Sequence, residues 1–422
     1  MTIARSLHIA IVVHLGWGHA RPLCALAARL VKLRSVDITF LTACDMHGKV
    51  LKELARSFED GEDALRARIR VVGLLAHTAD MFDREVVGES FEEQFSKILV
   101  GEPAFCSATQ SSVPPLKVPD ALIVDMFGDL FFEIARRHSA TLKILVSLPS
   151  ALFCVYALTG PYGPDGLDAL NAAVEDVMRK TGKTLPEAAR ELLGRPTDDV
   201  VRIPGVPEMY AYENSPQELS FDLPNIGYIH LTAANLVHAC DGLISASMPA
   251  LEPPATVQAF NAFLASQSRK LYFLGLLLPE TRREAQAERT QLAQAPEIAG
   301  FMQRVRRTHG ERAMLYISFG TVFWPKNPDR IWAFLDVLIE QNIPFIMAHA
   351  SPFCALPDEI AAKVKASGIG LITPWAPQQA ILEHPATGWF VTHGGFNSVT
   401  EAVHAGVPMY AAPPPPLIPT HH

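Results

Sequence analysis

Short apolar runs that alternate with helix-patterned segments are the feature that most restricts what this chain can fold into. "LHIAIVVHL" is followed by the turn Gly16-Trp17-Gly18-His19 and then by "ARPLCALAARLVKL", whose apolar residues recur at helical spacing. "VDITFLTA", "RIRVVGLL" and "DALIVDMF" read as further strands; the last leads into the helical "GDLFFEIARRHSA", and "KILVSLPS" continues the pattern. This rhythm implies a parallel sheet with helices on both faces. Ligands of such a sheet gather at the carboxyl ends of its strands.

A second alternation begins at "AMLYISFGT", passes through the amphipathic "DRIWAFLDVLIEQN", and continues with "PFIMAHA", "GIGLITP", "TGWFVTH" and "VPMYAA", with "QQAILEH" and "NSVTEAVHAG" as helices between the later strands. A chain of 422 residues is long for one core. The expected fold class is therefore α/β, with two Rossmann-like parallel-sheet domains facing across a cleft. The expected boundaries are 1–279 for the first domain, 280–300 for a linker in the polar stretch "TRREAQAERTQLAQAPE", and 301–422 for the second domain. Residues from about 160 to 230, acidic and then Pro-rich, read as an insertion covering the sheet edge or cleft.

A net charge of -8 argues against a general nucleic-acid binder and toward a small partner. The six cysteines lack CxxC pairs and metal-ligand spacing, so they read as thiols in a reducing compartment. The first apolar run is short, contains His8 and His14 and lacks a small-residue cleavage site; it reads as a strand rather than a signal peptide. No uninterrupted apolar stretch of about 20 residues occurs, and the expected location is cytoplasmic.

Within the second alternation, "HGGFNSVTEA" places Gly394 and Gly395 at a turn between a strand and a helix. Asn397 and Ser398 suit an N-cap or first turn, and Glu401 stands three residues after Ser398, the capping-box spacing. Backbone N–H groups at such a helix start favour a phosphate. Taken alone, the two glycines read as turn punctuation. His19 alone reads as a solvated turn histidine, and Asp125 alone as a cap for the helix beginning near Gly128.

The longer segment "WAPQQAILEHPATGWFVTHGGFNSVTEAVHAGVP" resembles the nucleotide-sugar motif of the family 1, UDP-dependent glycosyltransferases, best described in plant secondary metabolism and also found in fungi. The matching residues are Trp375, Pro377-Gln378, His393, Gly395, Asn397-Ser398 and Glu401. Further blocks resemble the same family: "GWGHARP", "ALIVDMFGD", "HACDGLISASMPALEPPA" and "LYISFGT", so the similarity runs from about residue 8 to residue 410 and is loose between 150 and 230.

The resemblance implies a GT-B fold and a hexosyltransferase that uses a UDP-sugar, expected to be UDP-glucose, as co-substrate, with no resident cofactor and no metal. Trp375 would stack on uracil with Ala376 and Gln378 on the same loop, and Glu401 would accept hydrogen bonds from the ribose. His393, Gly395, Asn397 and Ser398 would meet the diphosphate, together with Ser318, Gly320 and Thr321 of the "SFGT" loop. His19 would be the general base of an inverting transfer, oriented by Asp125. Phe127, Phe131, Phe153 and Tyr156 suggest a small lipophilic acceptor bearing a hydroxyl, although aromatic residues at these spacings also suit a core.

Two departures qualify the resemblance. Gly394, Gly395 and Phe396 stand where the family usually has Cys-Gly-Trp. After Gly406-Val407-Pro408 the chain reads "MYAAPPPPLIPTHH", and the family's acidic-Gln pair, which binds the sugar hydroxyls, would fall near Leu417-Ile418. The four prolines are expected to be extended and solvated. The second domain is thus expected to be incomplete, with an uncovered apolar face. Beside the transferase, two other readings stand: a catalytically inactive UDP-binding protein, and a glycosyltransferase acting on a sterol or carbohydrate intermediate.

Overall fold

The computed structural model describes residues 6–13, 16–75, 83–160, 163–193, 198, 200–214, 226–278, 282–321, 323–325 and 327–411. His14, residues 279–281, residues 215–225, and the terminal proline run with Leu417-Ile418 lie outside the described residues. The chain forms two compact units. The first comprises Met1–Arg195, Val200–Glu208 and Pro224–Arg283, and the second Pro196–Asp199, Met209–Leu223 and Glu284–His422.

The first unit is built on a seven-stranded parallel sheet. Its strands are β1 (Leu7–Val13), β2 (Val36–Ala43), β3 (Ile69–Leu74), β4 (Ala121–Asp125), β5 (Lys143–Leu148), β6 (Gly242–Ser245) and β7 (Leu271–Phe273). They lie in the order β3-β2-β1-β4-β5-β6-β7, the Rossmann order with one further strand. Ala10, Val12, Leu122 and Val124 point into one buried cluster with Phe91, Phe95 and Ile134. The alternate residues Ile11, Val13, Ile38, Phe40 and Ile123 are buried as well. Burial on both faces explains why these strands read as continuous apolar runs.

The second unit repeats the plan with five strands. They are β8 (Met314–Ser318), β9 (Phe345–Ala348), β10 (Gly370–Thr373), β11 (Thr387–Thr392) and β12 (Met409–Ala411), in the order β10-β9-β8-β11-β12. Period-two alternation divides the core. Met314, Tyr316, Ile346 and Phe390 pack with Phe301 and Met302 of the helix Pro296–His309, whereas Ile317, Phe345, Met347 and Val391 pack with Trp332 and Leu335 of the helix Asp329–Glu340.

Two expectations need adjustment. The polar segment taken as a linker is largely helical, as Arg282–Ala293 and the start of Pro296–His309. Ile298, Phe301, Met302 and Val305 form a buried stripe with helical spacing, so a boundary at 301 cuts an element that belongs to the second core. The region after residue 160 also has a core of its own, where Val174, Ala188, Ala189 and Leu231 bring together the helices Gly163–Thr181, Leu185–Leu193 and Ile226–Ala239. At the β11–β12 side of the second sheet Trp389 and Tyr410 are exposed.

Candidate active site

Each sheet has one topological switch point, where the strand order reverses about its first strand, and the sequence-predicted residues gather at both. In the first unit the switch lies between β1 and β4, paired from Ile9 opposite Ala121 to Val12 opposite Val124. The helix Trp17–Leu33 follows β1 and opens on the carbonyl of Gly16, which accepts from the N–H groups of His19 (3.0 Å) and Ala20 (3.1 Å). His19 is thus the third residue of the helix, and Asp125 is the last residue of β4.

The two side chains meet. His19 Nδ1 lies 2.8 Å from Asp125 Oδ2, and the other carboxylate oxygen, Oδ1, accepts from the backbone N–H of Phe127 at 3.0 Å. Asp125 is 4% exposed, so the carboxylate is fixed from both sides. Burial alone would lower the pKa of His19, but the charge of Asp125 and its hydrogen bond act against this and leave it raised. With Nδ1 held by the carboxylate, Nε2 is the nitrogen left for chemistry. Phe127, 41% exposed, lies beside the imidazole with ring centroids 5.2 Å apart.

The other proposed acceptor aromatics separate from it. Phe131 is buried against Phe91 and belongs to the core, because it lies on the inward face of the helix Asp129–His138. Tyr156 packs edge-on against Phe260, and Phe153 is half-buried. His8 is structural: its ring nitrogens pair with the carbonyl of Lys117 (2.5 Å) and Thr39 Oγ1 (2.8 Å).

In the second unit the switch lies between β8 and β11, where Ser318 pairs opposite Thr392 at the strand ends. His393 follows β11, and its imidazole occupies a slot between two glycines. A Cβ on Gly320 would come within 2.8 Å of the ring, and one on Gly395 within 2.4 Å of Nε2. Gly320 also has φ +79, so any side chain there is strained. Phe323 lies nearly parallel to the ring at 6.2 Å. Burial lowers the pKa of His393, offset in part by the main chain of Ser318, and Nδ1 is buried with no hydrogen-bond partner of ordinary geometry.

The helix Phe396–Ala405 starts directly after this slot, with Gly395 at the cap position. The expected capping box does not form. Ser398 is the third helical residue, and Glu401, 5% exposed, is engaged from elsewhere. Gln378 Nε2 donates to Ser398 Oγ (3.1 Å) and to Glu401 Oε2 (2.6 Å). Gly395 has no side chain with which to cap the first-turn N–H groups, which leaves this helix start suited to an anion.

Asn397, half-buried, lies in that first turn, and exposed Thr321 follows Gly320. Trp375 stands on the loop before the helix Gln378–Leu382; its carbonyl accepts from Thr373 Oγ1 (2.8 Å) and its surface is 53% exposed. Ala376, beside it, packs partly against the core. The second unit therefore assembles two groups: Ser318, Gly320, His393 and Gly395 around the imidazole, and Gln378, Ser398 and Glu401 as a hydrogen-bonded cluster. Among the described residues, no three or more His, Cys, Asp and Glu side chains gather to hold a metal ion, and no helix is long and apolar enough to cross a membrane.

Two Rossmann-like sheets, each with polar chemistry at its switch point, define a protein of the GT-B class. The family described as "UDP-glucoronosyl and UDP-glucosyl transferase" matches over residues 282–414. UDP-glycosyltransferase eriJ of Hericium erinaceus is 32% identical over 421 residues, which cover 97% of this chain and 79% of that one. An anthocyanidin 3-O-glucosyltransferase of Zea mays is 41% identical over 103 residues, 24% of this chain and 22% of that one. Among solved structures, a Siraitia grosvenorii UGT in complex with UDP aligns with a TM-score of 0.66 at 18% identity, over 97% of this chain and 82% of that one. A Medicago truncatula UGT complexed with UDP-glucose aligns at 0.64 and 16%, over 97% and 80%. The chain belongs to the UDP-glycosyltransferase family, and it is a transferase enzyme.

Proposed function

We propose that this enzyme transfers a hexose, glucose in the simplest case, from its UDP donor to a hydroxyl of a small lipophilic acceptor, with inversion at the anomeric carbon. The observation that carries the reading is the pair of His19 and Asp125 at 2.8 Å, with the far carboxylate oxygen held by the Phe127 N–H. His19 Nε2 takes the acceptor's proton as the acceptor oxygen bonds to the anomeric carbon and the bond from that carbon to UDP breaks. Asp125 holds the tautomer and stabilises the imidazolium that forms. Phe127 offers an apolar wall for the acceptor next to the base.

The donor side of the reading assigns the diphosphate to His393, Asn397, Ser398 and the helix start after Gly395, beside Ser318, Gly320 and Thr321. The ribose falls to Glu401 and Gln378, and the uracil to the exposed face of Trp375 with Ala376 beside it. A neutral His393 with Nδ1 buried can present its N–H at Nε2, and developing charge on the leaving UDP is met by this donor and the helix start. No step of this scheme calls for a metal. The relatives support glucose and a hydroxyl acceptor in general terms, since the Zea mays and Arabidopsis thaliana proteins are named for 3-O-glucosyl transfer to an anthocyanidin and a flavonol.

Incubation with UDP-glucose and a panel of phenolic, terpenoid and sterol alcohols, followed by UDP release and product mass, tests the proposal. Acceptor-dependent product that disappears in His19→Ala supports it. UDP binding without product from any acceptor overturns it in favour of a nucleotide-binding role.

A further inference from the structure

Tyr316 is a core residue by every measure of packing, yet it carries a hydroxyl. It is 1% exposed, stacks on Phe390 with centroids 5.0 Å apart, and lies on β8 two residues before Ser318, on the same face of the strand. Phenylalanine would fill that place without a polar atom to satisfy, and a buried tyrosine hydroxyl requires a partner. The partner is the donor-site cluster: Tyr316 Oη donates to Gln378 Oε1 at 3.4 Å.

A glutamine amide has two faces. Only when its oxygen turns toward Tyr316 does its nitrogen face Ser398 and Glu401, to which it donates at 3.1 and 2.6 Å. A flipped amide would set its oxygen against the Glu401 carboxylate, acceptor against acceptor. The acceptor-only Glu401 carboxylate sets this orientation, and the O–H of Tyr316 reinforces it by donating to the oxygen turned toward it, and so steadies the aim of a carboxylate that is 5% exposed.

We propose that Tyr316 is a positioning residue for the donor ribose, acting through Gln378 to hold Glu401 in its hydroxyl-accepting orientation. The inference rests on the assignment of Glu401 to the ribose under Proposed function. Tyr316 itself touches no substrate. Its effect is to prepay the ordering of Gln378 and Glu401 before the nucleotide arrives.

The test is a comparison of two nucleotides on two proteins. Isothermal titration gives the affinity of the full chain and of Tyr316→Phe for UDP and for 2′,3′-dideoxy-UDP, with thermal melting as the check that the ring packing survives. The wild type should favour UDP over the dideoxy analogue. Tyr316→Phe should lose about three- to ten-fold in UDP affinity, the worth of one neutral hydrogen bond, with little change for the analogue. In a Gln378→Ala background the same substitution should change neither affinity.

Equal weakening of both nucleotides, or a UDP preference unaltered by Tyr316→Phe, would overturn the inference while leaving the donor site in place. A wild type that binds no UDP would overturn the donor-site assignment itself, and the inference with it. If Tyr316→Phe does not fold, Gln378→Glu supplies the second arm. Its carboxylate cannot donate to Glu401, so the UDP preference should fall there as well; an unchanged preference counts against the proposal.

Discussion

Each switch point carries a histidine, on opposite flanking strands and with opposite electrostatics. His19 follows the first strand of its sheet and is held against a buried carboxylate, which raises its pKa. His393 follows the fourth strand of its sheet, lies in a slot between two glycines, and has its pKa lowered by burial with no carboxylate to compensate. Strand order fixes where such residues can stand, and the neighbour fixes what each can do. A carboxylate partner makes a proton acceptor whose charged product is stabilised. In the proposed scheme, enclosure without a carboxylate makes His393 a neutral hydrogen-bond donor beside an uncapped helix start, where a carboxylate would repel a diphosphate.

If that division holds, substitution at the two points should separate turnover from donor binding. The largest effect is expected at the first. His19→Ala should lower kcat by about 10²–10⁴-fold, the usual worth of a general base, with UDP affinity unchanged by titration. Asp125→Asn should lower kcat less, since the imidazole remains. Loss of UDP affinity in His19→Ala would break the comparison, because it would give the first histidine a share in holding the donor.

The converse change is Gly320→Ala, which displaces the His393 ring without touching a reacting atom. Donor affinity should fall by about 1.5–3 kcal/mol, as for a lost hydrogen bond to a charged group. The proton-transfer pKa seen in kcat/KM should stay where it was. An unchanged Kd for UDP would remove the slot from the argument.

The pH profile sharpens the contrast further. If His19 is the base it must be neutral to act, so kcat/KM should fall on the acid side through a pKa above the ordinary histidine value of 6.5. In Asp125→Asn that limb should move to lower pH, since the groups that raise the pKa are gone. A limb that stays in place would assign the titration to another group.

The residues differ in how far they could be read from the sequence. Apolar runs such as "LHIAIVV" became Leu7–Val13 because strands covered on both faces have no other pattern, and the turns after them are marked by glycine. The meeting of His19 and Asp125, 106 residues apart, followed from the family resemblance and the strand ends, not from spacing. Phe131 resisted because it stands only four residues after Phe127, and only packing separates the core aromatic of the helix Asp129–His138 from the exposed one in the turn before it. The Ser398 to Glu401 spacing suggested a capping box, but Gln378 comes from the start of another helix and captures both side chains. Tyr316 was invisible for a related reason: on an alternating strand its ring position says core, and the hydroxyl gains meaning only through a partner 62 residues away.

The smallest expected effect is also the most direct test of opposite electrostatics, because it needs no substrate. A folded-state pKa above 6.5 means that the His19 pair contributes stability fully below that pH and loses it as pH rises through the raised value. A folded-state pKa below 6.5 gives His393 the reverse sign: burial costs nothing while the ring is neutral, and stability is lost as pH falls through 6.5 toward the lowered value. Melting temperatures at pH 8 and pH 5.5 should therefore diverge. The wild type should gain on His19→Ala as pH falls and lose on His393→Ala over the same interval, each by no more than about 1 kcal/mol. Changes of the same sign in both variants would mean that the two histidines share one environment, and the division of roles between the switch points would fail at its electrostatic root.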